Sequence, residues 1–207
     1  MSLKNYDGLS DVHLDVLKEI CNIGSGNAAS SLSTMFGISI NIEIPGIDLY
    51  EINDAIEKLG GAETVKAGLL LPITTDLNGM IMFLFTYDFA NLLIKTLIGT
   101  ELNSLDEIDE MGLSMLNEVS NIAAAAFINA IASMTGMTIN LSPPSSTVDM
   151  VGAIMNVPAV YFANVSDKIL LMENHFDCEG LQAPANILLI PDIESLERLM
   201  TRLSIEI

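Results

Sequence analysis

One stretch of this chain occurs twice. Counting from Asp15, Glu19 follows after four residues, Asn22 after three more and Pro45 after another twenty-three; Ser114, Glu118, Asn121 and Pro144 repeat those spacings 99 residues later. At the same offset Leu17 meets Leu116, Ile23 meets Ile122, Met35 meets Met134, Gly37 meets Gly136 and Asn41 meets Asn140. A period near one hundred residues means a duplicated half-domain and not a solenoid of short repeats. The halves divide at about 1–102 and 103–207, across the acidic connector Asn103 to Glu110. We therefore expect one α/β (α+β) domain of two similar halves, with a mixed, largely antiparallel sheet carrying two long motif helices.

A capping residue at Ser10 or Asp11 and a stop at Gly37 predict a helix to Phe36. At 3.6 residues per turn Asp15, Glu19, Asn22 and Gly26 share one polar stripe, while Val16, Leu17, Ile20, Ile23, Gly24 and Ala28 face the core. The second helix, from about Asp106 to Thr135, repeats the stripe as Ser114, Glu118, Asn121 and Ala125. Gly24-Ser25-Gly26 is unusual inside a helix, because each Gly costs about 1 kcal/mol relative to Ala. Its counterpart is alanine, so small size is the shared property, and we expect it to admit another surface close to the helix.

After the first helix, Ile38, Ile40, Ile42 and Ile44 alternate inward in a half-buried strand that Pro45-Gly46 ends. A short helix over Tyr50–Leu59 precedes a hairpin of Val65–Pro72 and Met80–Thr86, then a helix over Asp88–Leu97. The second half repeats this with insertions: a strand over Met137–Leu141, a short helix over Val148–Met155 carrying Asp149, and strands over Val157–Asn164, Lys168–Asn174 and Asn186–Pro191. A helix over Asp192–Leu203 closes the chain.

Composition excludes several functions. With 27 acidic residues against 8 basic ones, a net charge of -19 disfavours nucleic acid and anionic membrane surfaces. The longest apolar run, Ile122 to Met137, is broken by Asn129 and falls short of the ~20 residues of a membrane span, so no membrane insertion is expected. With Cys21 and Cys178 alone there is no disulfide framework, and the cytoplasm is the expected compartment. Cys21 is expected to be a small buried hydrophobe, and the lone His13 and His175 to have no metal to bind. The Asn164-Val165-Ser166 sequon carries no weight in such a chain.

A Glu and an Asn three apart on an exposed helix face are ordinarily just solvated. Surface positions tolerate substitution freely, yet both halves keep Glu, Asn and the downstream Pro while diverging elsewhere. The pattern resembles the signature of the CheC, CheX and FliY family of chemotaxis phosphatases, and the duplicated helix is similar to the CheC type. The resemblance implies a phosphatase of the response regulator CheY, with catalytic Glu19, Asn22, Glu118 and Asn121. It implies partnership with the receptor deamidase CheD as well, on a region including Asp149. Asp15 and Ser114, one turn earlier on the stripe, either support the motif at the interface rim or simply solvate the helix, and Pro45 and Pro144 end a strand and shape the adjoining loop. No cofactor of its own is implied; Mg2+ would sit on the phosphorylated regulator. The alternative is a non-catalytic adaptor, binding CheD or forming part of a flagellar switch.

Overall fold

The computed structural model describes residues 6–162, 168–178 and 180–205. Helix α1 (Asp11–Phe36) leads into β1 (Ile40–Glu51), the short α2 (Ile52–Lys58), the hairpin β2 (Val65–Thr75) and β3 (Gly79–Phe85), and α3 (Tyr87–Ile98). The second half supplies α4 (Glu110–Thr135), β4 (Ile139–Leu141), β5 (Ser145–Met150), α5 (Val151–Ile154), α6 (Asn156–Phe162), β6 (Lys168–Cys178), β7 (Leu181–Pro191) and α7 (Ile193–Arg202).

Both long helices begin and end where their caps dictate. For α1, the Ser10 backbone N–H donates to His13 Nδ1 at 2.8 Å, and Gly37 closes the helix in the left-handed region at φ 68°. For α4, Asp109 Oδ1 accepts from Gly112 N at 2.8 Å, and Gly136 closes the helix at φ 67°. A glycine pays no Cβ penalty there. Helix α4 starts at Glu110, not near Asp106, because Leu105–Glu107 forms a separate 3-10 turn.

One sheet takes strands from both halves, in the order β1-β6-β7-β3-β2-β4, with β5 also beside β2. All its pairings are antiparallel. Read outward from the centre, β3 is followed by β2 and then by β4 and β5, while β7 is followed by β6 and then β1. Each half's hairpin is thus bordered by the other half's first strand. Helices α1, α4, α3 and α7 cover one face through Leu17, Ile20, Leu116, Phe127, Phe89 and Leu199. The other face packs Met80, Met82 and Leu84 of β3 against Ala55 and Leu59 of α2 and Val151 and Ile154 of α5. Central β3 is therefore buried along its whole length.

Three expectations change. Pro45-Gly46 does not end β1: the strand continues to Glu51, and Pro45 sits where its register slips. From Glu43, opposite His175, to Gly46, opposite Glu173, β1 gains one residue on β6. The second half slips at the same place, between Ser142, whose N–H donates to Pro72 O, and Ser145, opposite Leu70. A bulge leaves one residue out of the ladder, so a proline, which has no N–H, is tolerated there. Secondly, Asp149 lies on strand β5, opposite Lys66, with the short helix beginning only at Val151. Thirdly, the segment read as a strand from Val157 is helix α6 up to Phe162; the Asn164 sequon lies outside the described residues.

Candidate functional site

The polar stripes are where periodicity puts them. Asp15, Glu19, Asn22 and Gly26 are exposed along α1; Ser114, Glu118 and Asn121 are exposed along α4, with Ala125 half-buried. Leu17, Ile20, Gly24 and Ala28 face inward, as do Leu116, Val119, Ala123 and Phe127; Ile23, expected inside, is 38% exposed. Among the described residues, no side-chain hydrogen bond or ion pair engages Glu19, Asn22, Glu118 or Asn121. Their polar atoms are left to solvent or to a docked partner.

Helix α4 and the bulge loop enclose the better-formed site. An open depression of about 340 Å³ is lined by Ser114, Asn117, Glu118 and Asn121 from the helix and by Leu141, Ser142, Pro143 and Pro144 from the chain between β4 and β5. Ser114, Glu118, Asn121 and Pro144, spread over thirty residues of sequence, thus come together. Asn117 lies outside the repeated motif. Its amide nitrogen donates to Ser146 Oγ at 3.3 Å and its amide oxygen is buried with no partner. The available signal was its position directly before Glu118, matching Lys18 before Glu19.

The first copy is arranged differently. Its depression, about 370 Å³, is lined by Asp11, Leu14, Asp15 and Lys18 of α1 and by Gly46, Ile47 and Asp48 of β1. Asp15 thereby meets the segment just after Pro45, whereas Glu19 and Asn22 lie outside this depression, further along the stripe. The first rim is dominated by charge, from Asp11, Asp15, Lys18 and Asp48. The second has Glu118 amid neutral polar groups and prolines.

The surface that the small residues at the motif admit includes that of the other long helix. A Cβ on Gly24 would lie 2.8 Å from Phe127 Cδ1 and 3.0 Å from Phe127 Cα, so this glycine lets α4 pack against α1. Gly26 has nothing within 4 Å of that position and remains open to solvent. Between the helices runs a groove of about 550 Å³, lined by Asn27, Ser30, Ser31, Ile122, Ala125, Ala126 and Asn129.

Other candidates stay apart. Asp149 is exposed, and its pairing with Lys66 puts it on the sheet face away from the motif helices. Cys21 is buried with Sγ 3.1 Å from Met172 Sδ, and burial pushes its thiol up to about 12, so it is no nucleophile near neutral pH. Among the described residues no group of three His, Cys, Asp or Glu could hold a metal ion. Helix α4 is long and apolar enough to cross a membrane, but 56% of its most apolar window is buried in the fold, as for a core helix.

Chemically, each stripe offers a carboxylate and, one turn on, a carboxamide. A carboxylate can pair with a cationic side chain. A carboxamide, donor and acceptor together but no base, can orient a water.

An α/β fold with an exposed Glu/Asn pair on each long helix is what the resemblance to CheC-like proteins implies. A CheC-like family model matches residues 12–47, the first motif helix and the start of β1. The chain is 28% identical over 202 residues to the CheY-P phosphatase CheC of Bacillus subtilis, covering 96% of this chain and 97% of that one. A Halobacterium salinarum protein named as a putative CheY-P phosphatase, CheC1, is 27% identical over 88% of this chain and 91% of its own length. In fold, the chain is similar to Thermotoga maritima FliY, with a TM-score of 0.76 at 20% identity over 95% of this chain and 98% of that one. The FliM middle domain of Helicobacter pylori has the same fold, with a TM-score of 0.68 at 12% identity over 94% and 99% of the two chains. These matches make the chain similar to CheC-like proteins over nearly its whole length.

Proposed function

We propose that this protein removes the phosphoryl group from the aspartyl phosphate of the response regulator CheY. The observation that carries the reading is the Glu/Asn pair kept on the solvent face of both α1 and α4. The similarity to a protein named CheY-P phosphatase CheC over nearly its whole length supports it.

The substrate's chemistry asks little of the enzyme. An acyl phosphate is already activated, and a loose in-line displacement needs a positioned water and charge stabilisation more than a protein nucleophile. Asn22 or Asn121 orients the attacking water through its carboxamide. Glu19 or Glu118 pairs with a cation beside the phosphoryl group and sets the register of docking. Asp15, Ser114 and the segments at Pro45 and Pro144 form the rim. The Mg2+ belongs to the phosphorylated regulator, which is the substrate.

A second reading, an adaptor, draws on the likeness in fold to a FliM middle domain and to a chain of a FliG-FliM complex of Helicobacter pylori, the latter with a TM-score of 0.69. In it the chain binds CheD, through a surface including Asp149, or joins the flagellar switch in the cytoplasm without turnover. The decay rate of phosphorylated CheY with Mg2+ separates the readings, measured with wild type, Glu19→Ala/Asn22→Ala, Glu118→Ala/Asn121→Ala and the quadruple variant. Partial loss in each double variant and full loss in the quadruple is expected. Four folded proteins that all match buffer would leave the adaptor in its place.

A further inference from the structure

The first motif helix rests on two buried polar side chains that the second lacks. Ser25 and Asn174 are each 1% exposed, and Ser25 Oγ and both amide atoms of Asn174 have no hydrogen-bond partner among the described residues. Leaving such groups unpaired in an interior costs roughly 1–3 kcal/mol each, so two together in one place call for a shared ligand.

The packing brings them together. Cys21 of α1 touches Met172 of β6. Helix α1 runs antiparallel to β1, to which it is joined by a tight turn with Ser33 Oγ accepting from Ile40 N at 2.9 Å. Strand β1 is antiparallel to β6, so α1 and β6 run the same way. From that contact, Ser25 is one helical turn on, about 6 Å, and Asn174 is two strand residues on along the same face, about 6.6 Å. Ser25 therefore sits over Asn174. The asparagine lies opposite the β1 bulge, between the pairs Glu43–His175 and Gly46–Glu173.

The second half has an apolar pair in the same two places. Ala124 stands at the position of Ser25 and is fully buried. Leu71, between Pro72 and Leu70 opposite the second bulge, stands at the position of Asn174 and is also fully buried. Both positions change character together.

We propose that Ser25 and Asn174 bind one buried water between them, and that this polar seat positions α1, and with it Asn22, over the sheet. A hydroxyl and a carboxamide offer three polar atoms, the usual complement of an internal water. A directional contact of this kind fixes the helix along and about its axis, where the buried apolar residues Ala124 and Leu71 of the second half can fix it only by shape. Ser25 and Asn174 are positioning residues for the first site only; that part rests on the phosphatase reading.

The test uses the full chain. NMR magnetisation transfer between the Asn174 side-chain NH2 and a long-lived water is expected in the wild type. Ser25→Ala and Asn174→Leu are each expected to lower the unfolding midpoint by about 4 °C. The double variant, which recreates the apolar pair, should recover most of that loss. Absence of the long-lived water together with single shifts that simply add would overturn the seat. In the Glu118→Ala/Asn121→Ala background, Ser25→Ala is expected to lower kcat about tenfold with KM unchanged, as misplacement of a catalytic group does. An unchanged kcat there would overturn the positioning role. A background protein with no activity at all would count against the phosphatase reading at the first site, while the water and the unfolding cycle still decide the seat.

Discussion

Lys66 shows how a single residue can set a pH response. It is 5% exposed on β2, and its Nζ donates to Asn186 Oδ1 at 2.9 Å. Burial lowers its pKa from 10.5 to about 8. Between those values the unfolded chain binds the proton and the folded chain does not, so stability rises with pH across that window. Thermal unfolding is expected to show a gain from about pH 8 to 10.5 that Lys66→Met abolishes; an equal gain in the variant would sink the assignment. Sequence did not mark this lysine, because a strand residue between Val65 and Ala67 reads as an outward polar position of an alternating pattern. The exposed Glu and Asn pairs were legible because the chain repeats them. Asn117, Lys18 and Asn174 were not, since in each case the two halves carry different residues at the equivalent position.

At the level of elements, helices were read more faithfully than strands. Capping residues and glycine stops are local, so α1, α3, α4 and α7 fell within a few residues of their observed ends. Strand limits depend on partners. Strand β1 outruns Pro45 because β6 continues beside it to Lys168, and β5, Ser145-Ser146-Thr147-Val148, lacks the apolar alternation of a strand and owes its form to pairing with β2. Helix α6 reads as a strand from its β-branched and aromatic run, although Pro158, in its first turn, is tolerated in a helix there and would break a ladder. The packing of α1 on α4 yields a paired prediction. Gly24→Ala drives a methyl into Phe127 and is expected to cost about 1–3 kcal/mol. Gly26→Ala, two residues on in open space, is expected to stabilise by up to about 1 kcal/mol. Denaturant unfolding of both variants checks this, and equal effects would mean that the two helices do not approach as closely as described.

For the whole molecule the governing fact is that each half completes its hairpin with a strand of the other, β1 beside β6 and β4 and β5 beside β2. Neither half can then bury its sheet edge alone. Residues 1–102 and 103–207, expressed separately, are expected to give NMR spectra of unfolded chains, and together a dispersed spectrum; a folded isolated half would refute the pairing. The duplication itself was plain in the sequence, but this exchange was not, because a repeat establishes that two units are alike and says nothing of which strand lies beside which.

The exchange bears on assembly. A protein carrying only one such half would have to form the sheet as a symmetric homodimer, each subunit lending its first strand to the other across a twofold axis. In this chain the two halves are covalently joined, so the shared sheet does not depend on concentration, and either motif helix is free to differ in chemistry from its twin.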